Sequence, residues 1–205
     1  MSYLVRISIA AAACALFSQT ATAQDYSQQF GDLGISGTVK ALYAVENPTA
    51  SDRFALGGAL FLEGIQTAFQ ERYRVGLSDL ELDSPGLMTD LSSNPKPAPF
   101  TPDVITDLFT QIGTTMDAAQ ASLAPITSTV EVAVTLDLNQ VWFDVNANGK
   151  RDVYEDLLPV MVPLFVSRWK VEETLAAFDD AGGAPTVTFD ISDAAWLQAS
   201  THVFA

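Results

Sequence analysis

The sequence predicts a mainly α-helical protein, helical hairpins or a bundle with a small two-stranded β element, and three patterns predict it. From Phe54 to Tyr73, and again from Ile105 to Ala119, bulky apolar residues recur at three- or four-residue steps, the period of a helix with one buried face. Between Val130 and Leu138 the period changes to two. Val130, Val132, Val134, Leu136 and Leu138 fall on one side, with Glu131, Thr135 and Asp137 on the other, as in a half-buried strand. Prolines at 48, 85, 95, 97, 99 and 125 punctuate the chain between these segments.

Taken in order, residues 1–23 read as an export signal. Arg6 supplies a positive start, 7–17 is an apolar run, and Ala21-Thr22-Ala23 is an A-x-A cleavage site. The run is shorter than the roughly twenty apolar residues that a membrane span needs. A lipoprotein anchored through Cys14 is the rival, but Ala11 stands where such sites carry leucine three residues earlier. Cleavage of 23 residues from 205 leaves 182, a single domain over 24–205 with a sizeable core. Cys14 is the only cysteine, so the processed chain has no disulfide framework, and burial and a metal are expected to hold it together. The full chain has 10 basic and 25 acidic residues, and without Arg6 the net charge becomes −16. Nucleic acid and anionic lipid are disfavoured as partners by that charge. The expected location is periplasmic or secreted.

Residues 24–37 are polar and predict a ragged start, followed by a short helix over 38–45 carrying Val39 and Leu42. Asn47-Pro48 ends it. Ser51 or Asp52 is placed to cap a longer helix reaching Val75, with Phe54, Gly58, Phe61, Ile65, Phe69 and Arg72 or Tyr73 inward. Gly57, Gly58 and Gly64 cost that helix about 1 kcal/mol each in propensity, which is consistent with close contact against a neighbour. Residues 78–100 read as a loop. Asp79, Glu81 and Asp83 alternate there with leucines, and Ser93 and Lys96 have an S-x-x-K spacing that Pro95 argues against as a catalytic pair. Thr101-Pro102-Asp103 opens the next helix, expected to place Ile105, Leu108, Phe109, Ile112, Met116 and Ala119 inward. After the strand at 130–138, Leu157, Leu158, Met161, Leu164 and Phe165 lie on a helix that Pro159 and Pro163 should kink or split. A helix over 171–178, a loop at 179–183, a second strand at 186–190 and a final helix through Ala194, Leu197 and Val203 complete the chain. The pattern is unfinished after Val203-Phe204-Ala205, so a longer, C-terminally truncated relative is expected.

Residues 144–155, DVNANGKRDVYE, place oxygen-bearing side chains at a spacing that wraps one hard cation. Asp144 is first, Asn146 third, Asn148 fifth, Gly149 sixth, Asp152 ninth and Glu155 twelfth, matching D-x-[DN]-x-[DN]-G-x5-E. Calcium takes six to eight oxygens at about 2.3–2.6 Å, so alternate side chains must point inward and the chain must turn midway. Gly149 supplies the turn, Lys150 offers its backbone carbonyl at the seventh position, and Glu155 has two oxygens to close the shell. The segment resembles the EF-hand family of calcium loops over these twelve residues. It departs from the family in three ways: Arg151 replaces the usual aliphatic pairing residue, no second loop exists, and the approach to Asp144 reads as extended. With only Asp144, Asp152 and Glu155 charged, the affinity expected is that of extracellular modules, a Kd of about 10⁻⁴–10⁻³ M. A metal-free Asp/Asn/Gly turn is the alternative.

Residues 38–70 carry a second, fainter resemblance. Ala41-Leu42-Tyr43, Asn47-Pro48 and Phe54-Ala55-Leu56-Gly57 are similar to the junction between two tetratricopeptide units, although no 34-residue period accompanies them. Two functions follow from the whole. One is a calcium-stabilised binding or interaction module, with calcium as its ligand and a protein partner left open. The other is a periplasmic hydrolase using a carboxylate pair, for which no spacing singles out two residues; the sole histidine, His202, lies on an apolar terminal helix.

Overall fold

The computed structural model describes residues 23–77, 94–152 and 154–204. All but the last residue of the segment read as an export signal, together with Asp79, Glu81, Asp83 and Ser93, lies outside the described residues. Among the described residues the elements run β1 (Gln24–Asp25), α1 (Ser27–Tyr43), α2 (Ala50–Val75), α3 (Pro102–Leu123), β2 (Val134–Asp137), α4 (Leu157–Phe165), α5 (Val171–Asp180), β3 (Thr186–Phe189) and α6 (Ile191–Phe204). The protein is mainly α-helical with a small sheet, as predicted.

The long amphipathic pattern becomes α2, on which α1 packs from one direction and α3 from another. Its cap is Thr49, two or three residues earlier than expected, because Asp52 acts from inside the first turn. The Asp52 backbone N–H donates to the Thr49 hydroxyl oxygen at 3.1 Å, and the Thr49 N–H donates to Asp52 Oδ2 at 2.8 Å, a capping box. Small residues let α3 approach closely: a Cβ at Gly57 would stand 2.6 Å from the Leu123 side chain, and one at Gly64 would meet Met116. Gly58 differs, with only Leu197 within 4 Å, at 3.9 Å.

The predicted ragged start is ordered. Tyr26 and Phe30 are buried, which turns 27–43 into one helical element instead of a short helix at 38–45. The element bends at Gly34, whose φ of 65° an L side chain resists and whose missing Cβ makes room for the Trp142 ring, 2.8 Å from where that Cβ would be. Gln24–Asp25 adds a third strand, parallel to β2, while β2 pairs antiparallel with β3. Two exposed residues have no side-chain pattern to announce a strand; the backbone bond from Gln24 N–H to the Ala133 carbonyl, 2.9 Å, defines it. The strand expected over 130–138 is shorter, Val134–Asp137. Val132, Val134 and Leu136 are buried as the alternation requires, whereas Val130 lies exposed in a turn.

Other expectations are corrected in detail. Ile105 and Phe109 of α3 are 42 % and 67 % exposed, and the buried positions of the helix are instead Val104 in its first turn and Met116, Ala119, Ser122 and Leu123 toward its end. Pro159 does not split α4: it falls in the first turn, where N–H groups lack intrahelical partners anyway, and the helix ends two residues after Pro163. On α6, Thr201 is buried where Val203 was expected, and Val203 is 77 % exposed.

Asp52 also joins β1 and Tyr26 to α2. Its Oδ1 accepts from the Tyr26 hydroxyl at 2.8 Å and from Gln24 Nε2 at 3.1 Å, and its Oδ2 accepts from the Thr49 hydroxyl at 2.6 Å as well as from the Thr49 N–H. Burial acts to raise the carboxyl, but these donors outweigh it and hold Asp52 below its ordinary range. Burial, with Asp52 alongside, pushes the Tyr26 phenol far above its usual range. A depressed folded-state carboxyl stabilises the fold above the unfolded pKa of about 3.9 and loses that contribution as pH falls through the folded value. The stability of wild type in urea denaturation is therefore expected to fall between pH 5 and pH 3, with a smaller dependence in Asp52→Asn. Thr49→Ala should cost about 1 kcal/mol at neutral pH by the same measurement.

Candidate metal centre

Three alternate residues ahead of and within the loop, Val141, Phe143 and Val145, are fully buried, and they fix where its first side chain starts. The approach is extended, as read from the sequence. The Phe143 N–H donates to the Glu155 carbonyl at 2.7 Å, the Leu157 N–H donates to the Val141 carbonyl at 3.0 Å, and Trp142 bridges Asp156 antiparallel. The loop is thus closed by a β-type ladder, and α4 begins only after it, at Leu157. From α2, Gln66 Oε1 accepts the Asp144 N–H at 2.9 Å and Gln70 Nε2 donates to the Asp144 carbonyl at 2.7 Å. Gln66 is itself 3 % exposed and also donates to Ser36 of α1 at 3.0 Å. The head of the loop is gripped on both backbone faces.

Four of the predicted residues close into one net. The Asn148 N–H donates to Asp144 Oδ1 at 2.9 Å and to Asn146 Oδ1 at 3.0 Å, and the Gly149 N–H donates to Asp144 Oδ2 at 2.9 Å. Asp152 Oδ2 accepts from Asn146 Nδ2 at 2.7 Å and from Asn148 Nδ2 at 2.9 Å. The backbone turns back through Ala147 and Gly149, at φ 56° and 72°, and the space around Gly149 is open to 4 Å. Lys150 is exposed and its N–H donates to Asn148 Oδ1 at 2.7 Å.

Glu155 meets that net only through backbone N–H groups. It is 1 % exposed, and its oxygens face the backbone: Oε1 accepts from the Val145 N–H at 2.7 Å and, at 3.4 Å, from Asn146, while Oε2 accepts from the Asp152 N–H at 2.9 Å. Burial raises the Glu155 carboxyl, the Asp152 charge adds to the rise, and the three N–H groups oppose it. A carboxylate has about four acceptor sites, so three donors leave Glu155 one in reserve. Arg151, the residue that departs from the family pattern, seals the outer edge: Nε donates to Asp156 at 2.6 Å and a terminal nitrogen donates to the Asn139 carbonyl at 2.6 Å.

The donor chemistry fits a hard cation in part. Oxygens from Asp144, Asn146, Asn148 and Asp152 lie within one hydrogen-bonded turn, but among the described residues no three carboxylate, imidazole or thiolate side chains converge. Asp152 and Glu155 are near enough for their charges to interact, yet Glu155 faces the interior, which gives no support to a hydrolase acting through this pair. Gln66 and Gln70 were not legible as site residues, since on α2 they read as polar positions of an amphipathic helix. His202 is exposed. No family model matches this chain, and no characterised protein or solved structure is similar enough to count as a match.

Proposed function

We propose that residues 144–155 bind one calcium ion and that the protein is an exported, periplasmic or secreted binding module whose fold this ion stabilises. The supporting observation is the convergence of two carboxamides on Asp152 within a turn headed by Asp144. Two amide NH₂ groups face a carboxylate there. Asn146 Oδ1 and Asn148 Oδ1 each accept one backbone N–H, from Asn148 and Lys150, and an amide oxygen has a second lone pair that a cation can use without movement of the backbone. Asp144, Asn146, Asn148 and Asp152 then supply side-chain oxygens, Lys150 its carbonyl and Glu155 its spare acceptor site. Calcium supplies charge neutralisation between Asp144 and Asp152 and cross-links a loop that is otherwise exposed from Ala147 to Asp152.

A ligand that binds only the folded loop stabilises by RT ln(1 + [L]/Kd), about 1.4 kcal/mol at roughly ten times Kd. The melting temperature should therefore rise with millimolar calcium and fall back with chelator. Asp144→Asn should remove most of that increment, and Lys150→Ala should leave it intact. Identical melting curves in calcium and chelator, with no heat of binding by titration calorimetry, would overturn the proposal.

A further inference from the structure

A cavity of about 290 Å³ lies between α1, α2, β2, β3 and α6. Val134 and Leu136 of β2 line it from the sheet, and Phe54 and Phe189 meet at its wall with ring centroids 5.5 Å apart. It borders the ladder that closes the calcium loop through Val141 and Leu157, and none of the proposed calcium ligands lines it. Its most exposed lining residue is Trp196, at 67 %, so the space opens along the outer side of α6.

The lining offers ordered water few partners. A buried water needs two to four polar partners, and an apolar cavity of about 150 Å³ is known to stay dry and to take a hydrocarbon. Here the Tyr26 hydroxyl already donates its proton to Asp52, and the lining carboxylate is Asp193, whose Oδ2 accepts from the Asp190 N–H at 2.8 Å and whose Oδ1 meets no donor among the described residues. Among the described residues no lysine, arginine or histidine lines the space. An anionic head would therefore meet Asp193 with no cation to offset it, in a protein of net charge −15. A head that donates a hydrogen bond meets an acceptor.

We propose that this cavity binds a small amphiphile with a hydrocarbon tail of roughly eight carbons, at about 30 Å³ for each group of that size, and a hydrogen-bond-donating head, an aliphatic alcohol or amine, set at Asp193. Gly58 is the position that keeps the space open. It lies on the lining, and a side chain there would extend into the cavity, its Cβ no nearer than 3.9 Å to Leu197.

The test titrates the purified protein with 1-hexanol, 1-octanol, octylammonium and octanoate, read by nuclear magnetic resonance and tryptophan fluorescence. Saturable one-site binding of 1-octanol is expected, with magnetisation transfer from its tail to the methyls of Val134 and Leu136. Each methylene buried is worth about 0.8 kcal/mol, or about fourfold, so 1-octanol should bind about fifteenfold more tightly than 1-hexanol. Octylammonium should match or exceed 1-octanol, and octanoate should be at least tenfold weaker. Gly58→Leu should abolish binding by filling the space; Trp196→Ala, at an exposed position, should weaken it at least threefold and serves if Gly58→Leu does not fold. Absence of transfer to the β2 methyls, or equal affinity for six and eight carbons, overturns the site. Equal affinity for octanoate and 1-octanol overturns the assignment of the head group.

Discussion

Replacing Glu155 by alanine is expected to lower the unfolding free energy by about 3–5 kcal/mol in the presence of chelator, before any metal effect is counted. The side chain is 1 % exposed and accepts backbone N–H groups on both sides of the loop, from Val145 and from Asp152. The buried Val145 donor left without a partner costs about 1–3 kcal/mol, the Asp152 donor on the exposed loop costs less because water can reach it, and the volume vacated adds a cavity term. Glu155→Gln separates the two roles. Glutamine keeps the volume and one oxygen but turns an NH₂ toward a backbone N–H, so a loss of about 1–3 kcal/mol is expected. The calcium-dependent rise in melting temperature should also disappear. Urea denaturation in calcium and in chelator reads both quantities, and a chelator-state stability within 1 kcal/mol of wild type for Glu155→Ala would show that the carboxylate does not close the loop.

Phe143→Ala should cost about 3–5 kcal/mol for the same chain, and it should also weaken the response to calcium. Phe143 is fully buried, meets Phe69 edge to face at 5.3 Å between centroids, and directly precedes Asp144. Truncating it loosens the contact that sets Asp144 between Gln66 and Gln70 of α2. Leu123→Ala is the control. Leu123 is as deeply buried, and its side chain packs on Gly57 between α2 and α3, so a loss of about 2–5 kcal/mol is expected with the calcium increment retained. If the two variants lost stability equally and kept equal calcium increments, the packing of Phe143 would have no part in positioning the loop.

Helices α2 and α3 were legible because their information is local. Apolar residues at helical spacing, Pro102 at the first position of α3 and small residues facing a neighbour act within a few turns, and each is visible in a short window of sequence. The spacing of Asp144, Asn146, Asn148, Gly149 and Asp152 is local in the same sense, and these side chains share one net. Local windows fail where a pairing partner is distant. Gln24–Asp25 forms a strand only because β2 passes beside it, and Ile105 and Phe109 fit the helical period of α3 but are exposed, whereas Val104 in the same stretch is buried.

By itself, then, the sequence determined the helical class, the order of the main elements and the cation-like spacing of the loop, all of which depend on neighbours in the chain. The tertiary structure alone decided what holds that loop in place. Gln66 and Gln70 grip Asp144 from 78 and 74 positions away, and Glu155 turns inward to satisfy backbone donors across the ladder that closes the loop. The cavity at Gly58 belongs to the same category, since its walls come from helices and strands far apart in sequence. The physical reason is that buried N–H groups must find acceptors and apolar surface must find cover wherever the packed chain supplies them, and neither demand respects distance along the sequence.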